Sequence, residues 1–320
     1  MPSPMTQPPP QITRIAPSPT GALHLGNART FLINWALARQ NTWSIVLRIE
    51  DLDTPRVKPG VIEQTIETLA WMGIDWDTGP VIQSEDLPHH HSAMQTLASS
   101  RMVYPCALTR SQIEQAASAP NEGDHETRFD PSLRPQSIPG CFDDDGTNWR
   151  MIVETGAIGF DDVFMGEQSF DPSESVGDFV VWTRRQCPSY QLAVVVDDHH
   201  QGITQIVRGD DLLDSTARQI ALKDALGYTE TVQYTHLPLI RGADGRRLAK
   251  RHGDTRIDHY RDHGTTRDRL IGLMGHWCGI TGSRTPMSPD DFLEGFTLDT
   301  LPKTDRIFTP EDDQWLRSTD

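Results

Sequence analysis

Hydrophobic residues in the first quarter of the chain follow the spacing of alternating strands and helices. Residues 12–16 (ITRIA) form a short apolar run that predicts a buried strand, followed by a turn rich in proline and glycine at 17–21. Apolar positions at helical spacing predict a helix from Gly26, and the β-branched run at 43–51 predicts a second strand. Residues 60–73 have the pattern of a second amphipathic helix. This order is typical of right-handed βαβ units on a parallel sheet.

The pattern changes in the middle of the chain and then returns. Residues 117–148 are rich in Pro, Gly, Asp, Ser and Asn with little periodicity, which is typical of a loop-rich insertion. Residues 191–209 have the apolar character of a strand, and residues 214–226 predict a helix. We interpret these two segments as the second half of the parallel sheet. The segment 257–320 is predicted to be a compact, mostly helical tail.

The bulk composition is that of an ordinary globular protein. Of the 320 residues, 36% are hydrophobic and 23% are charged, and no apolar run approaches the roughly 18 residues that cross a bilayer. Residues 1–11 have neither the basic flank nor the apolar stretch of a secretory signal, and we expect them to be disordered. The four cysteines are widely separated and form no C-x-x-C pair. This argues against a disulfide framework and fits a reducing, cytoplasmic location.

The net charge conflicts at first sight with a nucleic-acid partner. The chain has 45 acidic and 29 basic residues, a formal net charge of −16, whereas nucleic-acid binding usually leaves a basic footprint. Residues 241–256, however, contain six Lys or Arg against two Asp. A solvated loop is the ordinary interpretation of such a cluster. The alternative is a local contact surface for a polyanion in an otherwise acidic chain.

Residues 14–27 (RIAPSPTGALHLGN) combine a strand, a tight turn and the start of a helix. Backbone N–H groups at a helix N-terminus attract anions, so this arrangement suits phosphate. Gly26 has no Cβ, which lets a nucleotide ring or ribose approach the backbone. His24 and Asn27 can donate hydrogen bonds to phosphate oxygens. An isolated His-x-Gly triplet is most often structural, but the whole run in this context is more specific.

Residues 246–253 (RRLAKRHG) form a basic segment with a single lysine, Lys250. A mobile loop can bring an ammonium group towards a phosphate transition state while negative charge builds, and withdraw it afterwards. This segment alone is weak evidence of function. It gains meaning only together with residues 14–27.

Together the two segments resemble the signature motifs of class I aminoacyl-tRNA synthetases. Residues 24–27 (HLGN) are similar to the HIGH motif, and residues 246–252 resemble a degenerate KMSKS loop with Lys250 at its second lysine. The resemblance covers roughly residues 12–255 and is strongest to the glutamyl branch. Further blocks of that branch occur in family order: RIEDLD at 48–53, YQLAVVVDD at 190–198 and IVRGDDL at 206–212.

The resemblance implies a glutamate pocket whose residues complement the charges of the substrate. Glutamate has two carboxylates and one ammonium, and burying them unpaired is costly. Arg14 and Arg208 can each bind a carboxylate through two N–H groups, and Arg208 is the preferred partner of the side-chain carboxylate. Glu50 can accept the ammonium, while Ser18 and Tyr190 can supply hydrogen bonds.

Each of these residues also has an ordinary structural interpretation. An arginine like Arg208 at the end of a strand is often a surface or helix-capping partner. Glu50 can pair with Arg48, and Tyr190 can be a core aromatic with its hydroxyl at the rim. The acidic pair 197–198 can cap a helix that follows a buried strand, so we leave it out of the site.

The resemblance also implies ATP as the second substrate, with Mg²⁺ offsetting the charge on its phosphates. The substrate carboxylate would attack the α-phosphate in line and give glutamyl-adenylate and pyrophosphate, with no protein nucleophile. The expected catalytic residues are His24, Asn27 and Lys250. The expected ATP-binding residues are Pro17, Thr20, Gly21, His24, Gly26, Asn27, Leu248 and Lys250.

The length of the chain separates two branches of this family. The segment 257–320 is too short for the helical anticodon-binding domains of a full glutamyl-tRNA synthetase. The shorter architecture and the ASAP stretch at 117–120 resemble the glutamyl-Q tRNA(Asp) synthetases, which attach glutamate to the queuosine base of tRNA(Asp). The expected partners are L-glutamate, ATP and queuosine-bearing tRNA(Asp), with no membrane, and we expect a monomer that forms the adenylate without tRNA.

Three alternatives remain open at this point. The first is a short glutamyl-tRNA synthetase that charges the 3′ end of tRNA. The second is a catalytically silent RNA-binding paralogue. The third is a simple nucleotidyltransferase, which also uses an H-x-G-H turn but would not need a glutamate pocket.

The fold implied by the resemblance is α/β, with a Rossmann-like parallel sheet, an inserted α+β module and a short helical C-terminal segment. Residues 1–11 would be a disordered N-terminus. The first half of the catalytic domain is expected at 12–100 and the inserted, tRNA-facing module at 101–189. The second half, with the KMSKS-like loop, is expected at 190–256, and the helical segment at 257–320.

One departure from the family concerns zinc. Many apparent relatives carry C-x-C and later Y-x₃-C in the inserted module, a ligand set suited to tetrahedral zinc. Matching YPCALTR and RFDPSLR to those motifs puts Cys106 at the first ligand but Leu108, Phe129 and Leu133 at the others. We therefore expect an apolar cluster and no metal. The alternative is a relocated site, with Cys106, Cys141 and His125 as ligands.

Overall fold

The computed structural model of the chain describes residues 10–109, 112–113, 128–246, 248 and 254–318. Four features predicted from the sequence lie wholly or mostly outside the described residues: the N-terminus at 1–11, of which only residues 10 and 11 are described, the ASAP stretch at 117–120, His125 and Lys250. The strands, in chain order, are β1 Ile12–Ile15, β2 Ser44–Ile49, β3 Thr78–Ile82, β4 Val103–Cys106, β5 Asn148–Met151, β6 Ile158–Asp162, β7 Gly166–Phe170, β8 Phe179–Thr183, β9 Cys187–Pro188, β10 Gln205–Gly209, β11 Gln233–Leu237, β12 Ile240–Arg241 and β13 Arg306–Ile307.

Helices occur between the strands and throughout the C-terminal segment. In chain order they are α1 Leu25–Gln40, α2 Val61–Trp71, α3 Pro88–Ser99, α4 Pro172–Ser175, α5 Tyr190–His200, α6 Ser215–Leu226, α7 Ile257–Asp262, α8 Arg267–Trp277, α9 Pro289–Gly295 and α10 Pro310–Arg317. Within the described residues, none of them is long and apolar enough to cross a membrane.

The chain divides into two compact units. Unit 1 consists of Met1–Gln83, Ile203–Asp211 and Val232–Asp320, and unit 2 consists of Ser84–Gly202 and Leu212–Thr231. Both units are therefore built from segments that are distant in the sequence. Residues 190–202 belong to unit 2 in this division. The sequence predicted that the second half of the catalytic domain begins at residue 190. The assignment of catalytic and tRNA-facing roles to these segments stays a proposal.

Unit 1 contains a parallel sheet in the order β3-β2-β1-β10-β11. The central strands β2, β1 and β10 are buried along nearly their whole length, as expected when helices cover both faces of a parallel sheet, whereas the edge strand β3 has no buried residue. Helix α1 buries one long face against β1 and β10. The strand order reverses direction at β1, which lies between β2 and β10, and ligands of open α/β sheets bind at the carboxyl ends of strands at such a point. The predicted α/β class is confirmed.

Unit 2 has a different construction. An antiparallel sheet in the order β4-β5-β8-β9 packs with α3, α5 and α6 around one core, and β6 and β7 form a hairpin. Large aromatic side chains fill that core, including the fully buried Trp182 and Phe179. The prediction of an inserted α+β module rich in loops agrees with this architecture. Among the described residues between β4 and β5, only residues 112–113 and the 3₁₀ turn Pro131–Leu133 are helical.

The segment 190–200 corrects one prediction. The run QLAVVVDDHH was expected to be a strand, but the structure shows helix α5 at Tyr190–His200, and only Gln205–Gly209 forms a strand. Residues 192–198 are all buried, so the run is apolar around most of its circumference and has no visible helical period. A short, buried, valine-rich run has the same pattern in a strand and in a buried helix. The acidic pair 197–198 therefore lies in the last turns of α5.

The C-terminal segment is mostly helical, as predicted. Its helices start with side-chain caps that satisfy exposed backbone N–H groups: Ser288 with Asp291 at α9, and Thr309 with Asp312 at α10, each form a reciprocal capping box. Gly279 follows the end of α8 and has a φ of 77°. A Cβ at this position would lie only 2.4 Å from the carbonyl oxygen of Thr300. These devices fix the segment within unit 1.

Candidate active site

Three residues of the predicted glutamate pocket meet at one edge of the parallel sheet. Arg14 lies in β1, Arg208 lies near the end of β10, and Glu50 follows β2 directly. Because β1 is hydrogen-bonded between β2 and β10, the carboxyl ends of the three strands are neighbours. Two guanidinium groups and one carboxylate thus lie at the sheet edge where the strand order reverses.

Arg14 is held from both its side chain and its backbone. Its side chain is 5% exposed, and its Nη1 donates to the carbonyl oxygen of Val207 in β10 at 3.4 Å. Asn34 of α1 donates its Nδ2 to the carbonyl oxygen of Arg14 at 2.9 Å and accepts from the hydroxyl of Thr13. The guanidinium position is therefore fixed by three elements of unit 1, β1, β10 and α1.

Arg208 is held by a histidine that the sequence did not reveal. Arg208 is 5% exposed, and its Nε donates to Nε2 of the fully buried His236 at 2.9 Å. An accepting Nε2 has a free lone pair, so the imidazole is neutral and carries its proton on Nδ1. His236 lies directly opposite Arg208 in the register between β10 and β11. Only this register, which is not visible in the sequence, identifies it.

Glu50 makes the ion pair that its ordinary interpretation predicts. Its Oε1 accepts from Nε and Nη2 of the fully buried Arg48 at 3.3 and 3.1 Å. Its backbone N–H also donates to the carbonyl oxygen of Pro17 at 3.0 Å, which ties the end of β2 to the turn after β1. A carboxylate has about four lone-pair sites, so the pairing with Arg48 leaves the proposed contact to an ammonium chemically open.

The remaining two residues of the predicted glutamate set lie elsewhere. Ser18 is exposed in the turn that follows β1. Tyr190 is the first residue of α5 in unit 2 and is 41% exposed, so it is not a core aromatic. Unit 1 therefore contains Arg14, Ser18, Glu50 and Arg208 of this set.

A cavity of about 430 Å³ lies in unit 1 next to the turn after β1. Six of the eight predicted ATP-binding residues line it, together with Ser18. The turn and the first residues of α1 provide most of the wall, and Thr65, Leu248 and the segment 254–256 provide the rest. The lining residues are Pro17, Ser18, Thr20, Gly21, Ala22, Leu23, His24, Asn27, Thr65, Leu248, Asp254, Thr255 and Arg256.

Gly26 borders this arrangement without lining the cavity. A Cβ built at Gly26 would lie 3.5 Å from the His24 ring and 3.7 Å from Cβ of Ile240. These are ordinary van der Waals distances, so the protein itself would accept an alanine here. Any requirement for glycine would come from a bound ligand.

Backbone hydrogen bonds join the two motif regions. The N–H of Leu25 donates to the carbonyl of Thr255 at 3.1 Å, and the N–H of Ile257 donates to the carbonyl of Leu23 at 2.9 Å. Residues 24 and 256 thus form an isolated antiparallel bridge. Leu248, inside the KMSKS-like segment, is buried, and its N–H donates to the carbonyl of Ile240. Described residues on both sides of Lys250 are thus anchored in unit 1, while Lys250 itself lies outside the described residues.

The cavity wall at 254–256 carries a tight ion pair. The Arg256 side chain hydrogen-bonds to Asp254 and holds the pKa of that carboxyl down at about 2. His259 Nδ1 lies 3.3 Å from the same carboxylate. Asp254, which is the one carboxylate among the described residues that line the cavity, is therefore ionised and paired with Arg256.

A second acidic group, at the sheet edge, has a raised pKa, in contrast to the lowered pKa of Asp254. Asp210 directly follows β10, and burial, with the nearby charges of Asp305 and Asp211, raises its pKa to about 6 despite the opposing charge of Arg241. Arg241 pairs with Asp305, whose other oxygen accepts from the N–H of Leu239 at 2.7 Å. In the sequence, Asp210 and Asp211 are visible only as two acidic residues after the strand predicted at 191–209. The perturbation depends on Asp305, which is distant in the chain.

The positions matched to zinc ligands come together in unit 2 as an apolar cluster. Cys106 and Phe129 are buried in the same small core, and Leu108 and Leu133 pack against it. The predicted apolar cluster is thereby confirmed, while the absence of zinc stays a prediction. Of the relocated set, Cys141 is exposed, and His125 lies outside the described residues.

A buried polar network supports this apolar cluster. Asp178, which is fully buried, accepts from the Tyr104 hydroxyl at 2.6 Å and from two nitrogens of Arg134, each at 2.7 Å. It also accepts from the backbone N–H of Val153 at 2.9 Å. Burial and the neighbouring Asp178 raise the pKa of Tyr104. Its hydroxyl therefore stays protonated and keeps donating to the carboxylate.

Comparison with known proteins gives a consistent result. The family model described as tRNA synthetases class I (E and Q), catalytic domain, matches residues 11–313. The glutamyl-Q tRNA(Asp) synthetase of Rhodopirellula baltica is 41% identical over 91% of this chain and 90% of its own length. The glutamate–tRNA ligase of Geobacter sulfurreducens is 34% identical over 95% of this chain and 64% of its own length.

A solved structure agrees with these sequence relatives. The crystal structure of a glutamate tRNA ligase from Elizabethkingia meningosepticum in complex with its amino acid has a TM-score of 0.76 and 25% identity. The match covers 96% of this chain and 68% of that one. The Rossmann-like fold predicted from the motifs is confirmed by this similarity. The chain belongs to the class I tRNA synthetases of the E and Q type, and it is an enzyme of the ligase class.

Proposed function

We propose that this chain activates L-glutamate with ATP and then transfers the glutamate to the queuosine base of tRNA(Asp). One observation carries the proposal: the sheet edge that holds Arg14, Arg208 and Glu50 is joined to the cavity lined by the predicted ATP-binding turn. The Glu50 N–H donates to Pro17, and Pro17 and Ser18 both line that cavity. A place for an amino acid and a place for a nucleotide are thus adjacent within unit 1.

In the first step, we assign Arg14 and Arg208 to the two carboxylates of glutamate and Glu50 to its ammonium. Ser18 would add a hydrogen bond from the cavity wall. Two arginines that are each 5% exposed and lie on adjacent strands favour a doubly anionic substrate, because a buried charge is stabilised by an opposite one. The role of Tyr190 rests on the family resemblance alone.

Bond formation would follow from this placement. An oxygen of the α-carboxylate bonds to the α-phosphorus of ATP, the bond from that phosphorus to the bridging oxygen breaks, and pyrophosphate leaves. The N-terminus of α1 carries no acidic residue in its first turn, so its positive dipole end is available to the phosphates. His24 and Asn27 are proposed to donate hydrogen bonds there, and Lys250 to approach the leaving pyrophosphate.

Mg²⁺ would enter the site bound to the phosphates of ATP. Mg²⁺ usually keeps several waters and is bound through substrate phosphates and one or two carboxylates. The carboxylate in the cavity wall, Asp254, is engaged by Arg256 and His259. We therefore assign no protein ligand to the ion, which would arrive with the phosphates of ATP and reduce their charge.

In the second step, a hydroxyl of queuosine attacks the carbonyl carbon of the adenylate. The bond between that carbon and the phosphate oxygen breaks, AMP leaves, and the hydroxyl proton is released. Queuosine rather than the 3′ end is supported by the comparison with related enzymes. The glutamyl-Q tRNA(Asp) synthetases of Rhodopirellula baltica and Symbiobacterium thermophilum are 41% and 40% identical to the chain, against 34% for the Geobacter sulfurreducens glutamate–tRNA ligase.

The test uses radiolabelled glutamate and two preparations of tRNA(Asp), one with and one without queuosine. After the reaction, the 3′-terminal adenosine is removed from each product. We expect label only on the queuosine-bearing tRNA, and we expect it to survive removal of the adenosine. Label that disappears with the adenosine would indicate an ordinary glutamyl-tRNA synthetase. No label on either tRNA, without any adenylate, would indicate a catalytically silent paralogue.

A further inference from the structure

Unit 2 carries a cluster of two histidines and one aspartate at the ends of two packed helices. Asp86 precedes α3, His89 is the second residue of α3, and His200 is the last residue of α5. One potential ligand atom from each of the three lies within 4.8 Å of the other two. We propose that Asp86, His89 and His200 form a binding site for a divalent transition metal of the zinc class, separate from the activity of the sheet edge.

The spacing of the donor atoms favours a metal over a simple ion pair. A tetrahedral zinc ion with bonds of about 2.0–2.2 Å holds neighbouring ligand atoms about 3.3–3.5 Å apart. His89 Nε2 lies 3.4 Å from Asp86 Oδ1, which matches that separation and exceeds the usual hydrogen-bond range of about 2.7–3.2 Å. The two imidazole rings lie with their centroids 3.6 Å apart. Two imidazoles that bind one tetrahedral ion hold their ring centroids about 5 Å apart, so His200 would turn away from His89 to take up the third ligand position.

The backbone around the cluster is firmly held. Next to His89, the buried His90 places its Nε2 3.0 Å from Oδ1 of Asp197, three residues before His200. This contact ties the start of α3 to the end of α5. Further along the same helices, Leu97 and Val196 share the core of unit 2. His89 and His200 therefore project from packed helices, and Asp86 lies two residues before α3, which lowers the entropy cost of bringing the three ligands together.

The charges of the cluster suit a cation with nitrogen and oxygen ligands. Each imidazole can offer one ring-nitrogen lone pair to a metal, and the Asp86 carboxylate can offer an oxygen. His200 lies at the C-terminal end of α5, where the helix dipole favours a positive charge, and Asp86 offsets the positive end of α3. Two imidazoles with one carboxylate select zinc, copper or nickel over the oxygen-seeking magnesium and calcium.

The site would be open, because three protein ligands leave a fourth position of a tetrahedral ion for water. Asp86 and His89 are half-buried and His200 is exposed, so exchange with solvent is unhindered. Such a site differs from the ligand set of Cys106, Cys141 and His125 in containing no sulfur. The ligand chemistry therefore provides a way to tell the two apart.

The experiment titrates Zn²⁺ into untagged, chelator-treated full-length protein by calorimetry, with the variants His89→Ala and His200→Ala in parallel. His199→Ala is the matched control, because His199 is the exposed neighbour of His200 and instead lies 3.1 Å from Glu230. We expect one equivalent to bind to the unchanged chain and to His199→Ala. We expect binding at least about 10-fold weaker in each ligand variant. Circular dichroism checks that every variant is folded.

Cobalt provides the second readout on the same proteins. We expect visible bands of Co²⁺ bound by nitrogen and oxygen, without the intense near-ultraviolet band that thiolate ligands add. Equal binding in all four proteins, or loss in His199→Ala alone, would overturn the assignment. Saturable binding with a thiolate band would place the metal on cysteine instead. No saturable binding at all would mean that the cluster is only a surface ion pair with stacked rings.

Discussion

The turn at 14–27 in unit 1 and the cluster around Cys106 in unit 2 differ in how far they keep the residue types of the family motifs. In the turn, His24, Gly26 and Asn27 keep the family's residue types and lie at or beside the cavity. In the cluster, three positions matched to zinc ligands are apolar, and they pack together. Packing can replace a structural metal because both supply only stability. No such replacement is open to residues that contact a reacting phosphate, because their chemistry is the function.

The largest effect expected from this comparison is on stability in unit 2. Phe129 is fully buried, and the guanidinium of Arg150 lies 4.4 Å from the centre of its ring. Phe129→Ala should lower the free energy of unfolding by about 3–4 kcal/mol through the lost burial and the cavity left behind. Urea denaturation measures this, with exposed Val163→Ala as the control. A loss below about 1 kcal/mol would mean that the cluster does not replace a metal.

At the sheet edge, a substitution should change the use of one substrate far more than the use of the other. Arg208→Ala should weaken the use of glutamate by about 3 kcal/mol, the cost of an unpaired buried carboxylate, and leave the KM for ATP within about threefold. Steady-state kinetics with each substrate varied separately measure the two effects. Arg14→Ala is measured in parallel. Because glutamine keeps the α-carboxylate and lacks the side-chain carboxylate, comparing the use of glutamate and glutamine by the two variants tells which arginine binds which carboxylate. Equal losses for glutamate and ATP would point to misfolding.

Lys250→Ala should slow adenylate formation about 10²-fold, the scale of one lost transition-state contact, without weakening glutamate binding. The exposed Lys303 in the same unit supplies the matched control, Lys303→Ala. The rate of glutamate-dependent ATP–pyrophosphate exchange is the measurement. An unchanged exchange rate in Lys250→Ala would contradict the role assigned to this lysine.

Asp210 gives a smaller effect that depends on pH. Its pKa is raised from 3.8 to about 6 by burial and by Asp305 and Asp211, so folding favours the protonated carboxyl. The stability that this group contributes is present below pH 3.8 and is lost as the pH rises through 6. Asp210→Asn should therefore match the unchanged chain near pH 4 and exceed it by about 1 kcal/mol at pH 7.5, after allowing for solvent screening.

The pH dependence can be checked by urea denaturation at several pH values between 4 and 8. The exposed Asp299→Asn in unit 1 is the control and should show no such divergence. A difference between Asp210→Asn and the unchanged chain that is constant across this range would remove the proposed burial effect. A difference that decreases with rising pH would reverse it.

The smallest expected effect concerns metal at the cluster itself. Cys106→Ser should leave the zinc content of the purified protein unchanged, because Leu108, Phe129 and Leu133 offer no ligand atoms. Elemental analysis of the His200→Ala variant, with and without Cys106→Ser, keeps the proposed histidine site out of the measurement. One tightly bound zinc that disappears with Cys106→Ser would refute the expectation that the module holds no metal.

Much of the fold and part of the site could be predicted from local sequence. The βαβ start followed from apolar spacing. Five cavity-lining residues followed from the turn motif and a sixth, Leu248, from the KMSKS-like segment. The strand predicted where α5 lies was wrong, because a short buried run of valines has no periodicity that distinguishes a helix from a strand. His236 and Asp210 could not be found either, since one depends on the register of β10 and β11 and the other on Asp305, far along the chain.

The most direct test of the central claim is ATP–pyrophosphate exchange with and without tRNA. If the sheet edge binds glutamate beside the ATP cavity, labelled pyrophosphate should enter ATP when L-glutamate is present, even without tRNA. Glutamine should support the exchange at least about 10²-fold less well, because it lacks the charge that Arg208 is proposed to bind. An exchange that needs tRNA would contradict the proposed independence of activation. An absence of glutamate-dependent exchange under both conditions would contradict the assigned function itself.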